Sequence, residues 1–246
     1  MSTLFSLQHP GQVRRRGFKL SQRYRWLISL AMLLALGALF LTGDPFGAGP
    51  ACGDAPARRC AFGSAPPTVG AEAIQIPGKP HLYARLVTPV SFTDPSGTVW
   101  TAPPGTLTDG ASIPPVFVPL IGEPRSTEFL SPAALHDAYC GAGNEQLNQF
   151  RARSWEETHR MFYHGLRAAG VPPAKAKAMF AAVYLGGPRW DDPSRSLEGV
   201  PDTVLRHEME ACLRFIERER PTLAEIEAWM RRRESAILST ASATAP

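Results

Sequence analysis

The feature that most constrains this 246-residue chain is an uncharged, apolar run from Trp26 to Gly43. A helix needs ~20 apolar residues to cross the hydrocarbon core of a bilayer, and ~17 is the lower limit. The run is therefore just long enough. Six basic residues and no acidic residue precede it: Arg14, Arg15, Arg16, Lys19, Arg23 and Arg25. Basic flanks stay in the cytoplasm, so the sequence predicts a single-pass signal anchor in the inner membrane, with the C-terminal domain in the periplasm.

Three other interpretations of the apolar run stay open. A cleaved signal peptide has a shorter apolar core, ~7–15 residues, although the small residues of GDPFGAGPA offer a cleavage site after the run. A lipoprotein is disfavoured because Cys52 lies well beyond the run. A buried helix of a soluble domain is seldom apolar on every face and flanked by basic residues.

The charge distribution argues against nucleic acid as a partner. The net charge of the chain is +4, and the tail of residues 1–25 alone contributes six positive charges. The remainder therefore carries a net charge of −2, whereas a nucleic-acid-binding domain presents a clustered basic surface. The partner that the sequence does indicate is the membrane, through residues 26–43.

Beyond the apolar run the composition divides the chain. Residues 44–80 are rich in Pro, Gly and Ala and have no periodicity, which predicts a linker. Within it, Cys52 and Cys60 could close a small loop in an oxidising compartment. Residues 81–192 form the predicted domain, residues 193–238 its C-terminal helices, and residues 239–246 a disordered tail.

The predicted domain is α+β, with a small antiparallel β-sheet followed by a helical half. HLYARLVTPVSFTD alternates between apolar and polar residues, which predicts strands. DPSG at 94–97 has the residues of a β-turn, and TVWTAP returns after it, so we expect a hairpin. A further short strand is expected around Thr106–Thr108.

Helix signals fill the second half of the domain. Ser131 followed by Pro132 predicts an N-cap and first turn, with the helix ending at Gly141 or Gly143. Ser154 and Glu157 form a capping-box pattern for the next helix. Further helices are expected from Pro173 to Gly186, over DTVLRHEMEACLRFIERER, and from the TLAE segment to about Leu238.

The helix LSPAALHDAYCG carries the residues most suited to catalysis. His136 is a candidate general base, because the unperturbed pKa of histidine is ~6.5. Asp137 points ~100° away around the helix, so it does not easily pair with the same ring and is better placed to bind a hard cation such as calcium. A base would then activate water while the cation stabilises the oxyanion. The alternative is a structural His136 that binds a loop backbone.

Two further candidates would complete this site. His159 lies on the apolar face of the next helix, where it could pair with His136, share a metal with it, or be an ordinary core histidine. Asp109 in TDGAS either caps its turn or faces His136. Cys140 and Cys212 are either buried free thiols or a pair, and the sequence leaves both options open.

The segments TDGASIPP, ALHDAYC, MFYHGLRAAGVP and AAVYLGGPRW together resemble an uncharacterised family of bacterial and phage proteins, a domain of unknown function. The resemblance covers about residues 80–190 and implies a fold rather than an activity. The order of an HD pair, a Gly-rich loop and a second helix is also similar to secreted phospholipase A2. That resemblance implies His136 as the base and Asp137 as a calcium ligand. His159 stands where that family has an Asp that orients the histidine, and a His cannot orient His136 as an anionic carboxylate would.

Two functional hypotheses follow. The first is a membrane-anchored periplasmic hydrolase, with a His-Asp site acting on lipid or envelope material. The alternative is a non-catalytic envelope binding or assembly module in which His136 and Asp137 are structural. The exposure and the neighbours of His136 distinguish the two, since a base must face a cleft.

Overall fold

A computed structural model describes Cys52 and residues 60–63, 66–110, 117–118 and 129–244 of the chain. The basic tail and the apolar run of residues 26–43 lie outside these residues, as do the predictions made on them. Within the described ranges, no helix is both long enough and apolar enough to cross a membrane.

The described β-structure consists of two three-stranded antiparallel sheets rather than the single sheet expected. The first contains β1 (Ala61–Phe62), β4 (Val90–Thr93) and β5 (Val99–Ala102), in the order β1-β4-β5. The second contains β2 (Ile74–Gln75), β3 (Leu82–Arg85) and β6 (Leu107–Thr108), in the order β2-β3-β6. The hairpin and the short strand near Thr106–Thr108 are therefore confirmed.

The turn of the β4–β5 hairpin is held by one side chain. Asp94 Oδ1 accepts hydrogen bonds from the backbone N–H groups of Ser96 at 2.8 Å and Thr98 at 3.0 Å. Its other oxygen accepts a bond from Trp100 Nε1 at 2.9 Å, and Gly97 adopts a φ of 86°. The turn pattern thus also anchors a buried tryptophan of the sheet.

Part of the predicted linker belongs to the folded domain. Residues 60–63 and 66–80 supply β1 and β2, and the rings of Phe62 and Phe92 lie 5.0 Å apart. Cys52 and Cys60 form the expected disulfide. His164 Nδ1 lies 2.6 Å from the carbonyl oxygen of Cys52, so Cys52 contacts the helical half.

Five helices follow in the described residues: α1 (Leu130–Cys140), α2 (Trp155–Ala168), α3 (Pro173–Gly186), α4 (Asp202–Glu219) and α5 (Leu223–Thr244). The capping box of α2 is confirmed, with the Glu157 N–H donating to Ser154 Oγ at 3.2 Å. Ser131 as the N-cap of α1 is wrong, because the helix begins at Leu130 and Phe129 caps it without a side-chain hydrogen bond. The end of α5 near Leu238 is also wrong, since that helix extends to Thr244.

Helix α1 lies between two hydrophobic clusters. One contains Leu86, Phe92 and Trp100 of the β-region together with Ala134 and Leu135 of α1. The other joins α2 and α3 to the C-terminal helices. Every residue of α1 from Pro132 to Tyr139 is buried, so His136 and Asp137 lie inside the fold rather than on a solvent face.

Candidate active site

A cavity of about 220 Å³ lies where the C-terminal ends of α1 and α3 meet the second sheet. Its polar wall includes three residues that the sequence predicted for the site, Asp109, His136 and Asp137, together with Cys140 of the same helix α1. Tyr83 of β3 and Gly187 after α3 complete this part of the wall. The cavity therefore brings together elements that are far apart in the sequence.

Asn144 fixes the end of α1 against β6. Its side chain is fully buried. Its Nδ2 donates to the carbonyl oxygens of Leu107 at 2.8 Å and Asp137 at 2.9 Å, and its Oδ1 accepts from the Leu107 N–H at 2.8 Å. Gly141 ends the helix, and a Cβ there would lie 2.8 Å from Asp137 Cα. These contacts set the distance between the carboxylate of Asp137 and the β6 segment.

His136 contacts three ionisable side chains at the cavity. Its Nε2 lies 3.0 Å from His159 Nδ1, and Cys140 Sγ lies 3.4 Å from the same Nε2. The structure thus brings His159 and His136 together, as their sequence positions allowed. Asp137 Oδ1 lies 3.9 Å from His136 Nδ1, which is longer than a hydrogen bond but within ion-pair distance. Asp137 thus lies near the ring of His136 without a hydrogen bond to it.

The two histidines divide one positive charge unequally. Burial disfavours a charged ring, yet the pKa of His136 is raised from 6.5 to about 10, because the negative charges of Cys140 and Asp137 outweigh burial. The pKa of His159 is lowered well below 6.5, first by burial and then by the positive charges of His136 and Arg189. The pair therefore holds its proton on His136, next to Cys140.

His159 lies behind the wall of the cavity at Gly187. It is fully buried, and a Cβ at position 187 would lie 2.8 Å from its Nε2. Within the described part of the chain, that Nε2 has no hydrogen-bond partner. A buried polar atom without a partner costs stability, so the position of His159 is better explained by its bond to His136 than by core packing.

Two carboxylates share the cavity wall with a tyrosine. The pKa of Asp137 is raised from 3.8 to about 6, first by burial and then, among the causes that raise it, by the charge of Asp109. The nearby ring of His136 and a hydrogen bond with Thr108 oppose this shift. Burial, then the charges of Asp109 and Asp137, raise the pKa of Tyr83 to about 12. The Tyr83 hydroxyl is consequently a proton-bearing donor at neutral pH.

The donor set around Asp137 does not fit calcium. Among the residues that the structure describes, no group of three or more His, Cys, Asp or Glu side chains is placed to hold a metal ion. Calcium takes ~6–8 oxygen ligands, whereas Asp137 is only 1% exposed and its carboxylate lies beside His136 and bonds with Thr108. The last two residues of TDGAS lie outside the described residues.

Cys140 and Tyr83 line the cavity although neither was predicted as a site residue. Of the two options for Cys140 and Cys212, free thiols are confirmed and a pair is wrong. The available signal for Cys140 was its spacing of four residues from His136, which puts both side chains on one helix face. Tyr139 of the same turn packs edge-on against Trp100 with ring centroids 4.9 Å apart.

Fold and site together define a small α+β domain with a buried cluster of ionisable groups. Residues 84–183 match the family described as "Protein of unknown function (DUF1353)". This match confirms the resemblance to an uncharacterised domain family. The matched residues include α1 and α2, and therefore His136, Asp137, Cys140 and His159. The match leaves the expected TDGAS signature and phage link untested.

Two curated relatives come from Sinorhizobium fredii (strain NBRC 101917 / NGR234). "Uncharacterized protein y4jT" is 42% identical over 115 residues, which are 47% of this chain and 32% of the relative. "Uncharacterized protein y4iH" is 38% identical over 117 residues, 48% of this chain and 45% of the relative. The chain thus spans less than half the length of either relative. No solved structure gives a significant match.

Proposed function

We propose that this domain is a hydrolase that cleaves acyl esters in the His136 cavity, with His136 as the group that donates a proton to the leaving group and then recovers one. One observation carries the proposal. The His136 ring lies at the cavity wall with an ionisable side chain near each nitrogen: His159 and Cys140 at Nε2, and Asp137 at Nδ1. Clusters of buried groups with strongly shifted pKa values are typical of catalytic sites.

The neighbouring groups suit acyl transfer. Asp137 stabilises the positive charge that the His136 ring carries, and the bond to His159 fixes the plane of that ring. The Tyr83 hydroxyl keeps its proton at neutral pH, so it can donate a hydrogen bond to the oxygen of a substrate carbonyl. Donors of this kind stabilise the oxyanion that forms in the transition state.

The size of the cavity limits the substrate. Pockets for drug-sized ligands measure ~300–1,000 Å³, and about 220 Å³ is smaller. The cavity therefore accommodates a short acyl group, or the reactive end of a longer molecule. The anchor predicted at residues 26–43 would hold the site in the periplasm, where lipids and envelope polymers carry such esters. The periplasmic location and the lipid or envelope origin of the substrate are part of this proposal.

The burial of the two histidines also favours the alternative, a non-catalytic envelope module. His136 is only 5% exposed and His159 is fully buried, as in a structural polar cluster. However, a purely structural His136 would be expected to bind a backbone carbonyl. Instead, both ring nitrogens of His136 lie next to ionisable side chains. The two functions differ in what a His136 substitution changes: activity in a hydrolase, and only stability or partner binding in a module.

The test is hydrolysis of p-nitrophenyl esters of increasing chain length by the purified full chain. General-base catalysis contributes ~10²–10⁴-fold, so His136→Ala should lose at least about 100-fold in kcat/KM. The matched control is His207→Ala, the same change at an exposed residue of α4, which should retain wild-type activity. Circular dichroism checks folding of both variants. Wild-type protein that cleaves no ester, or equal rates for His136→Ala and wild type, would favour the module.

A further inference from the structure

Cys140 occupies the last turn of α1, at the opening of the site. Its sulfur lies 3.4 Å from His136 Nε2 and 3.7 Å from Nδ1, and it lines the cavity while remaining partly exposed. The other free thiol, Cys212, is fully buried and contacts Met230. Only Cys140 of these two combines a proton acceptor, a cavity and access for a substrate.

We propose that Cys140 is the nucleophile of this site and carries the acyl group of an ester or thioester substrate as a covalent thioester. The inference rests on the proposed hydrolase function and deepens it by naming the attacking atom. A thiolate is the reactive form of cysteine, and a neighbouring protonated histidine stabilises it.

The surroundings of Cys140 show where that stabilisation comes from. The C-terminal end of a helix carries partial negative charge, so the position of Cys140 on α1 disfavours a thiolate. The compensating positive charge is on His136, and Asp137 and His159 hold that ring in place. The activation of Cys140 should therefore depend on His136 rather than on the helix.

The reaction balances without a cofactor. Cys140 enters the reaction as a thiolate next to protonated His136, and the thiolate attacks the carbonyl carbon, forming a C–S bond. The C–O bond of the ester, or the C–S bond of a thioester substrate, then breaks, and His136 donates its proton to the leaving group. Water next attacks the acylated Cys140 while His136 accepts a proton from it. The C–S bond breaks, the carboxylic acid leaves, and the Cys140 thiolate next to protonated His136 is restored.

Two measurements on the full chain test this inference. The first is the esterase activity of Cys140→Ser and Cys140→Ala, with Cys212→Ala as the matched control. It is combined with mass spectrometry of protein that is quenched during turnover of p-nitrophenyl acetate. We expect at least a 100-fold loss of activity in both Cys140 variants, wild-type activity in the control, and one acetyl group on the peptide that contains Cys140.

The second measurement does not require turnover. Iodoacetamide should alkylate Cys140 of the wild type at pH values well below ~8.5, the ordinary pKa of a thiol, and His136→Gln should move that pH profile upward. A merely structural Cys140 would be alkylated with the profile of a thiol in the urea-unfolded chain, regardless of residue 136.

The outcomes separate the two proposals. Ester hydrolysis that His136→Ala abolishes and Cys140→Ala retains would overturn the nucleophile while leaving the hydrolase in place, with water attacking directly. Absence of any hydrolysis that depends on His136 would overturn both. An alkylation profile unchanged by His136→Gln would overturn activation of Cys140 by His136.

Discussion

At the scale of single residues, the site is maintained at a cost to stability. The carboxylate of Asp137 is almost completely buried beside a second carboxylate, Asp109, and its pKa is raised from 3.8 to about 6. The folded protein therefore binds the Asp137 proton more tightly than the unfolded chain does. Stability from this residue is greatest at low pH and falls as pH rises from about 4 through about 6.

Asp137→Asn should consequently stabilise the protein at neutral pH. Two pKa units correspond to roughly 2–3 kcal/mol, so we expect a gain on the order of 2 kcal/mol in the free energy of unfolding at pH 7, measured with urea. The gain should vanish near pH 4, where Asp137 is protonated in the folded state. In the proposed hydrolase the same variant should lose activity, because the carboxylate beside the imidazolium is gone. Lower stability at pH 7 would show that the ionised Asp137 contributes net stabilisation to the fold.

At the scale of elements, signals that act within a few residues were predictable. The capping box of Ser154 and Glu157 and the DPSG turn depend on atoms close in the chain, and both were correctly placed. The start of α1 depends instead on burial of Phe129 in the core, which no local pattern at Ser131 reveals. The candidates His136 and His159 were each found from their own helix. Their 3.0 Å contact depends on how α1 and α2 pack, and the sequence supplies no measure of that.

Asn144 is an example of a tertiary clamp that a single sequence does not identify. Its partner Leu107 lies 37 residues earlier, and nothing in the local sequence GAGN distinguishes Asn144 from an ordinary loop residue. Asn144→Ala removes three buried hydrogen bonds, each worth about 1 kcal/mol, so the free energy of unfolding should fall by about 3 kcal/mol.

The matched control for this clamp is Asn148→Ala, at an exposed residue of the same loop, which should change stability by less than about 0.5 kcal/mol. Chemical denaturation of both variants is the measurement. Equal, small effects would mean that other contacts hold α1 against β6, and that the cavity does not depend on Asn144.

At the scale of the whole molecule, the C-terminal helices complete the fold around the site, although they lie outside the residues matched to the family. In the structure, Glu234 of α5 is 2% exposed and pairs with Arg195 at 2.6 Å and Arg189 at 3.2 Å. Arg195 also pairs with Glu156 of α2 at 2.7 Å. One ion-pair network thus ties α5 to the helix that carries His159.

Breaking this network should destabilise the entire domain. Glu234→Gln leaves two arginine side chains facing a neutral amide, and removing one partner of a buried ion pair costs about 3–5 kcal/mol. The matched control is Glu210→Gln, whose pairing with Arg214 at 4.0 Å is exposed and is worth less than about 0.5 kcal/mol. Thermal unfolding should show a large loss of melting temperature for the first variant only.

Because α2 connects the network to the cavity, partial loss of the Glu234 contacts should also increase hydrogen exchange in α2. An unchanged exchange rate there would show that the C-terminal helices are energetically separate from the site.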